Sequence, residues 1–515
     1  MLTIPDWVRL NSLRHPTREA YIGADGRATF AEIAELAWSL ARGLASHGVT
    51  RGQPVGVLAA NNVFNARTFL GIACSGGIYT AYNWRWAAEE LADGIEESEP
   101  GIILVEERFV ELLEEALGVL GQRSELPGKI RVIRQGDIDT IAHGTGEFRV
   151  ELTPQDGLCL LFTGGSTGRS KAVLLSHQSG TANGVNEYMD LRLGALPEER
   201  GLMVTPMFHS AGLLCWLMTH LVAGKPLVLA ERFDEESLLE IVESERVTNT
   251  FMIPNMMRRV MQAGVLNEPG FTRTFRAMHT GAGLLRMPDK ERFFELLPEG
   301  ELHFRYGLTE AGPQVTRHHS DDMLDPSVDG SMGQEYTFVE SRITSLDDDN
   351  RECEPGELGE ICVRGPSIMT GYYGRPEVTA ETIRNGWLHT GDLAIRDERG
   401  FYYFKDRLKE MIKSGGENVY CVEVENFMYL HPAILEAAVV GVPTLEWDEE
   451  VRAVVVLRDG VSASEAEIKQ FLRGHLAGYK VPKQIAFLTA PELPRTGAGK
   501  LVKGKLKEKM GWIGD

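Results

Sequence analysis

Through about the first 300 residues, short apolar runs alternate with stretches that carry their apolar residues at helical spacing. "PVGVLAA" (54–60), "GIILVEE", "MVTPM", "PLVLA" and "TNTFMIP" read as buried strands. "NARTFLGIACSGG", "FVELLEEALGVL" and "EESLLEIVESER" read as helices between them. Strands this apolar, alternating with helices, predict parallel sheets covered by helices. At 515 residues the chain exceeds what one core organises, so at least two domains are expected.

The pattern changes near residue 330. "ESRITSLDDDNRECEPGELGEICVRGP" breaks into strands at Asp-Asp-Asp-Asn and Pro-Gly, which predicts an antiparallel sheet or small barrel. It changes again near "FYYFKDRLKEMIKSGG", and a compact mix of strands and helices follows, including the helix "SEAEIKQFLRGHL". The expected fold class is α/β. A large N-terminal domain, 1–408, holds helix-covered sheets and a small barrel-like sheet, and a small α+β C-terminal domain occupies 409–515.

Composition removes several function classes. A net charge of −21 repels nucleic-acid backbones, and the basic end "GAGKLVKGKLKEKM" reads as a solvated helix rather than a DNA-binding stripe. Six cysteines lie far apart with no CxxC pair or Cys/His cluster, which argues against zinc and disulfides and for a reducing cytoplasm. The N-terminus lacks the apolar core of a secretory leader. In "AGLLCWLMTHLVAGKPLVLA", His220, Gly224, Lys225 and Pro226 interrupt the run short of a membrane span, so a buried helix and a buried strand are expected there.

"FTGGSTGRSKA" (162–172) concentrates chemistry. Gly164, Gly165 and Gly168 free the backbone to turn its N–H groups toward an anion; Thr163, Ser166 and Thr167 add hydroxyls, and Lys171 adds a cation. It is not a Walker A loop: Ser170 stands where glycine is needed, and Ala172 where Ser or Thr is needed.

"RYGLTEAG" (305–312), "GWLHTGDLA" (386–394), "FYYFKDRLKEMIKSGGENVY" (401–420) and "PRTGAGK" (494–500) follow in order. With these motifs the sequence resembles the adenylate-forming acyl-CoA synthetases, the superfamily of firefly luciferase and peptide-synthetase adenylation domains, over essentially its whole length. The resemblance implies an ATP-dependent, AMP-forming acid–thiol ligase using Mg2+ and CoA. A carboxylate attacks the α-phosphorus and expels pyrophosphate; the CoA thiol then attacks the acyl carbonyl and releases AMP. Negative charge concentrates near the α-phosphate in both steps, so fixed cations and donors carry the catalysis.

The same resemblance assigns roles. Thr163 to Lys171 cradle the departing phosphates. Glu310 and Thr167 hold magnesium, suited to a hard cation. Tyr306, with Gly307, faces adenine opposite Gly281, Ala282 and Gly283; Thr309 touches phosphate; Asp392 and Arg407 bind ribose. Lys409 is the hinge of a mobile C-terminal domain that presents Lys500 in the first half-reaction and Lys413 in the second. Gly415 and Gly416 line the CoA tunnel. Gly164, Ser166, Ser170 and Ala172 depart from the usual loop, and Cys421-Val422 stands where Pro-Ala is usual.

His209, in "PMFHSAG", matches a gate at the carboxylate site. Met207, Phe208, Leu213, Met252 and Met257 are candidate acyl-pocket walls, and a methionine-rich lining suits a hydrophobic acid. No arginine or lysine presents itself for a second carboxylate. Aliphatic, aryl and polycyclic acids stay open, as do a carrier protein in place of CoA, a homodimer, and a binding protein without catalysis.

Overall fold

A computed structural model describes residues 2–164, 170–192, 196–283, 285–414, 417–444, 447–495 and 501–512. The chain divides into two compact units. The larger comprises Met1–Arg342, Cys362–Thr390 and Gly400–Tyr402; the smaller comprises Ile343–Ile361, Gly391–Arg399 and Tyr403–Asp515.

The larger unit contains two sheets built as the alternation predicts. In the first, Glu301–Tyr306, Ala277–Gly281, Asn249–Met252, Gly201–Met203, Leu227–Leu229 and Glu19–Gly23 run parallel side by side. Antiparallel strands Thr316–His318 and Gly26–Thr29 flank them. In the second, Arg131–Arg134, Ile102–Val105, Pro54–Leu58, Ile78–Ala81 and Gly157–Thr163 run parallel, and Lys171–Ser176 returns antiparallel.

Local chemistry sets the helix ends. Asn62 accepts the Asn65 N–H and starts helix Val63–Ser75, and Gly76, at φ 81°, stops it as the terminal glycines in the sequence predict. Asp234 caps helix Glu235–Glu245 in the same way. The greasy stretch becomes a π-helical turn, Ala211–Leu217, then helix Met218–Ala223, closed by Gly224 before strand Leu227–Leu229. Among the described residues no helix is long and apolar enough to cross a membrane.

The strands alternate sides. Leu202, Met252, Met278 and Leu302 face a core formed with Leu238, Met257 and Phe293 from three helices. His279 and Arg305 pack instead against Trp216. The antiparallel sheet or barrel expected after residue 330 is a sheet of five strands, Glu340–Thr344, Gly359–Arg364, Trp387–Arg396, Ile383–Arg384 and Tyr402–Arg407.

The smaller unit holds an α+β body. Ile434–Thr444 and Asp448–Leu457 form its central antiparallel pair, joined by Ile412–Ser414, Glu417–Val419 and the parallel Gln484–Phe487. Helices Cys421–Tyr429 and Glu465–Arg473 cover one face through Val424, Ile468 and Leu472. Leu506 and Trp512 cover the other. The basic C-terminal helix, Lys503–Lys509, is not simply solvated as the sequence suggested. Lys503 is drawn inward, its ammonium 2.9 Å from Glu425 and 3.3 Å from Glu410, two partly buried carboxylates that it balances.

Candidate active site

In the larger unit the site assembles at the strand ends around Glu310. Strand Glu301–Tyr306 turns through a tight loop and returns as Thr316–His318, pairing Tyr306 with Thr316. The loop is narrow: a Cβ on Gly307 would collide with the Pro313 carbonyl, and one on Gly312, at φ 85°, with that of Ser367. Glu310 therefore projects from a constrained tip. Its carboxylate accepts the Tyr372 hydroxyl at 3.0 Å and the Thr163 hydroxyl at 3.2 Å, and its backbone carbonyl accepts the Met369 N–H at 2.9 Å.

Thr163 ends its strand opposite Lys171, so the two sides of the glycine loop start from one paired position. The Lys171 ammonium lies 4.2 Å from the centre of the Tyr372 ring. Gly164 is exposed, with no described atom near where a Cβ would stand. Gly165, Ser166, Thr167 and Gly168 lie outside the described residues. A carboxylate beside hydroxyl oxygens is a hard donor set, and it fits magnesium.

Thr309 and Ser210 join this cluster to the segment bearing His209, their hydroxyl oxygens 3.1 Å apart. Next to Ser210, the His209 ring lies tilted 4.5 Å from that of Phe208, which meets Trp84 edge-on at 6.1 Å. Burial, then the nearby Arg85 cation, lowers the His209 pKa to about 4, so its imidazole is neutral at neutral pH. Met207, Phe208 and Leu213 are buried around this segment. Met252 and Met257 are placed elsewhere, in the core cluster with Leu238 and Phe293.

Gly281 ends its strand against Arg305, where a side chain would strike the Arg305 carbonyl. Ala282, held at φ 59°, and Gly283 continue from it and are exposed. Tyr306 and Gly307 follow directly on the neighbouring strand.

In the smaller unit, Asp392 is buried and pairs with the Arg407 guanidinium at 3.4 Å. Lys409 is exposed in the turn where the Glu410 and Met411 N–H groups return to the Arg407 carbonyl. Lys413 is exposed on strand Ile412–Ser414. Cys421 opens its helix with its N–H donated to the Asp406 carboxylate and its Sγ 3.1 Å from the Glu410 carbonyl. The usual proline could not make the first of these bonds. Gly415, Gly416 and Lys500 lie outside the described residues.

Comparison with known proteins decides the family. Residues 8–373 match the family model described as AMP-binding enzyme, and residues 423–500 match that of the AMP-binding enzyme C-terminal domain. The chain belongs to the AMP-binding enzymes. A feruloyl-CoA synthase of Amycolatopsis is 34% identical to this AMP-binding enzyme over 94% of each chain. A 2-succinylbenzoate–CoA ligase of Geobacillus is 30% identical over 98% of this chain and 97% of its own. ATP-bound MatB from Rhodopseudomonas palustris superposes with a TM-score of 0.88 at 26% identity, covering 99% of both chains. The o-succinylbenzoate CoA synthetase of Bacillus subtilis, in complex with an acyl-adenylate intermediate, gives 0.86 at 28% over 98% of this chain and 99% of that one.

Four side chains at the site of this AMP-binding enzyme escaped the motif reading. Tyr372 sits in "TGYYG", outside any quoted motif, and Ser210 was passed over beside His209. Arg85 lies 4.7 Å above the Trp84 ring and 6.0 Å from that of Phe208, so a cation does stand beside these rings. Arg305 opens "RYGLTEAG", but the motif marks no role for its side chain. The signal in the sequence is an arginine between Phe304 and Tyr306 in strand "ELHFRY".

Proposed function

We propose that this enzyme is an acid–thiol ligase that joins a hydrophobic, ring-bearing carboxylic acid to CoA through an acyl-adenylate. The convergence of Glu310, Thr163 and Tyr372 at one point, beside Lys171, carries the reading.

In the first half-reaction, Thr163, Gly164 and Lys171, with Gly165, Ser166, Thr167 and Gly168 between them, hold the departing phosphates. Glu310 and Thr167 would hold magnesium, which would supply positive charge against the triphosphate. Tyr306 and Gly307, with Gly281, Ala282 and Gly283, form the adenine slot; Thr309 donates to phosphate, and Asp392 with Arg407 holds the ribose. Lys500 bridges the acid carboxylate and the α-phosphate as an acid oxygen attacks phosphorus and pyrophosphate leaves. In the second, residues 409–515 turn about Lys409, bring Lys413 to the adenylate, and open the tunnel at Gly415 and Gly416 for the CoA thiol, whose sulfur attacks the acyl carbon as AMP departs.

The acid stands between Phe208, Trp84 and Leu213, with neutral His209 at its carboxylate end. The Trp84 ring stacks on Phe109 at 5.6 Å, and such aromatic walls favour a flat ring over an aliphatic tail. The names of two relatives, a feruloyl-CoA synthase and a 2-succinylbenzoate–CoA ligase, support ring-bearing acids and CoA rather than a carrier protein. We place the enzyme in the cytoplasm: its six cysteines are all buried thiols outside any disulfide.

ATP–pyrophosphate exchange with a panel of acids tests this reading. Lys500→Ala should reduce exchange by about a thousandfold while ATP binding persists. Exchange within about tenfold of the unsubstituted enzyme would overturn the assignment.

A further inference from the structure

Glu187 is a charged residue that none of this chemistry uses, and it is completely buried. It lies on helix His177–Asp190, which follows strand Lys171–Ser176 and is capped by Ser176. A single oxygen of Glu187, Oε1, receives three donors: Arg305 Nη1 at 2.5 Å, Gln314 Nε2 at 2.7 Å and the Tyr336 hydroxyl at 3.3 Å. Arg305 and Gln314 are the two feet of the loop whose tip carries Thr309 and Glu310.

The rest of that helix face repeats the arrangement. Asn183 accepts Gln314 Nε2 through its carbonyl at 3.3 Å, Asn186 accepts the Phe338 N–H at 3.0 Å, and Asp190 accepts the Thr337 N–H at 2.8 Å. Positions 183, 186, 187 and 190 fall on one side of a helix. That side is joined to the loop's feet and to the segment behind them.

Cohesion alone does not explain a carboxylate here. Desolvating a carboxylate and a guanidinium offsets most of their attraction, and apolar residues of like volume stabilise a core as well or better. Glu187 Oε2, Gln314 Oε1 and Arg305 Nε have no hydrogen-bond partner among the described residues, so the cluster is not optimised for stability. Directional bonds converging on one atom do fix geometry. Arg305 is oriented further by His279 Nδ1, which accepts its Nη2 at 2.6 Å, and by the rings of Phe251 and Trp216 at 5.3 and 5.6 Å.

We propose that Glu187 is a positioning residue for the metal- and nucleotide-binding loop: by gathering Arg305 and Gln314 on one oxygen it fixes the loop's feet and so the stance of Glu310 against Thr163 and Tyr372. The proposal rests on the adenylation reading above. It makes helix His177–Asp190 a rigid support along the side of the Glu310 loop.

The experiment uses the full chain with Gln314→Met, Glu187→Gln and Glu187→Ala. It reads magnesium-dependent ATP binding by calorimetry, and ATP–pyrophosphate exchange. Gln314→Met frees one foot and leaves the Arg305–Glu187 pair in place, so it decides the matter even if the Glu187 variants fail to fold. Folded Gln314→Met should need about tenfold more magnesium for half-maximal ATP binding. Its exchange should fall at least about tenfold, with KM for the acid changed less than about threefold. Glu187→Gln, which keeps an acceptor oxygen, should fall less than Glu187→Ala. Magnesium dependence and exchange both unchanged in Gln314→Met would overturn the proposal, as would losses that only track the folded fraction. If the unsubstituted enzyme binds Mg–ATP but exchanges with no acid, the ligase reading fails while the binding shift still decides the role of Glu187. No Mg–ATP binding at all overturns both.

Discussion

The hydroxyl oxygens of Ser210 and Thr309 lie 3.1 Å apart, and this contact joins the segment bearing His209 to the loop bearing Glu310. The two segments, far apart in sequence, are thus held together within the larger unit.

Gly307 tests how much the loop's narrowness matters. Its missing Cβ is what lets the Pro313 carbonyl pass, so Gly307→Ala must spread the loop and lift Glu310 away from Thr163. The expected outcome is a soluble protein whose exchange rate falls about a hundredfold, because misplacement of a binding group by about 1 Å costs that much. Steady-state exchange with melting controls checks it.

Met252 and Phe208 separate core from pocket. Met252→Ala should lower stability by about 2–5 kcal/mol, as emptying a packed core does, and leave the order of preference among acids unchanged. Phe208→Ala should instead change that order, with ring-bearing acids losing most, because the ring that faces Trp84 is removed. Denaturation curves and kcat/KM ratios over a common acid panel distinguish the two effects.

Lys503 carries a stability prediction. Glu425 and Glu410 keep its half-buried ammonium charged, while burial raises the Glu425 pKa. Lys503→Met strands two carboxylates and should cost about 3 kcal/mol in chemical denaturation. Adding Glu425→Gln should recover part of that loss.

The buried histidines set the acid limit. Burial lowers His177 and His220 from 6.5 to about 4, and His279 well below its usual value. A histidine depressed in this way contributes fully above pH 6.5 and loses its contribution as pH falls toward 4, on the order of 2 kcal/mol each by pH 5. Glu187 and Asp406, raised by burial to about 7 and about 6, work in the opposite sense: their contribution is present in acid and lost as pH rises through those values. The histidines outweigh them, so stability should fall between pH 7 and pH 5 by about 2 kcal/mol in sum, and the denaturation midpoint with it. A midpoint that holds or rises over that interval would contradict this balance.

The alternation of buried runs and helices made both parallel sheets legible, because a strand covered on both faces must be apolar throughout. Glu310, Thr309 and the Thr163–Lys171 pair could be read because their motifs are contiguous. The Tyr372 contact could not, since it comes from a strand two hundred residues beyond the glycine loop. Met252 looked like a pocket wall on composition, but strand alternation turns it to the core side, and only the partner strands reveal which side that is. Glu187 was invisible for a related reason: a glutamate in a polar-looking helix reads as solvated until the fold surrounds it.

The most direct test of the account is the product formed from ATP, Mg2+ and a ring-bearing acid, analysed by mass spectrometry with and without CoA. The account predicts acyl-AMP and pyrophosphate without CoA, and acyl-CoA with AMP when CoA is present. Release of ADP, or acyl-AMP that persists unchanged when CoA is added, would contradict it.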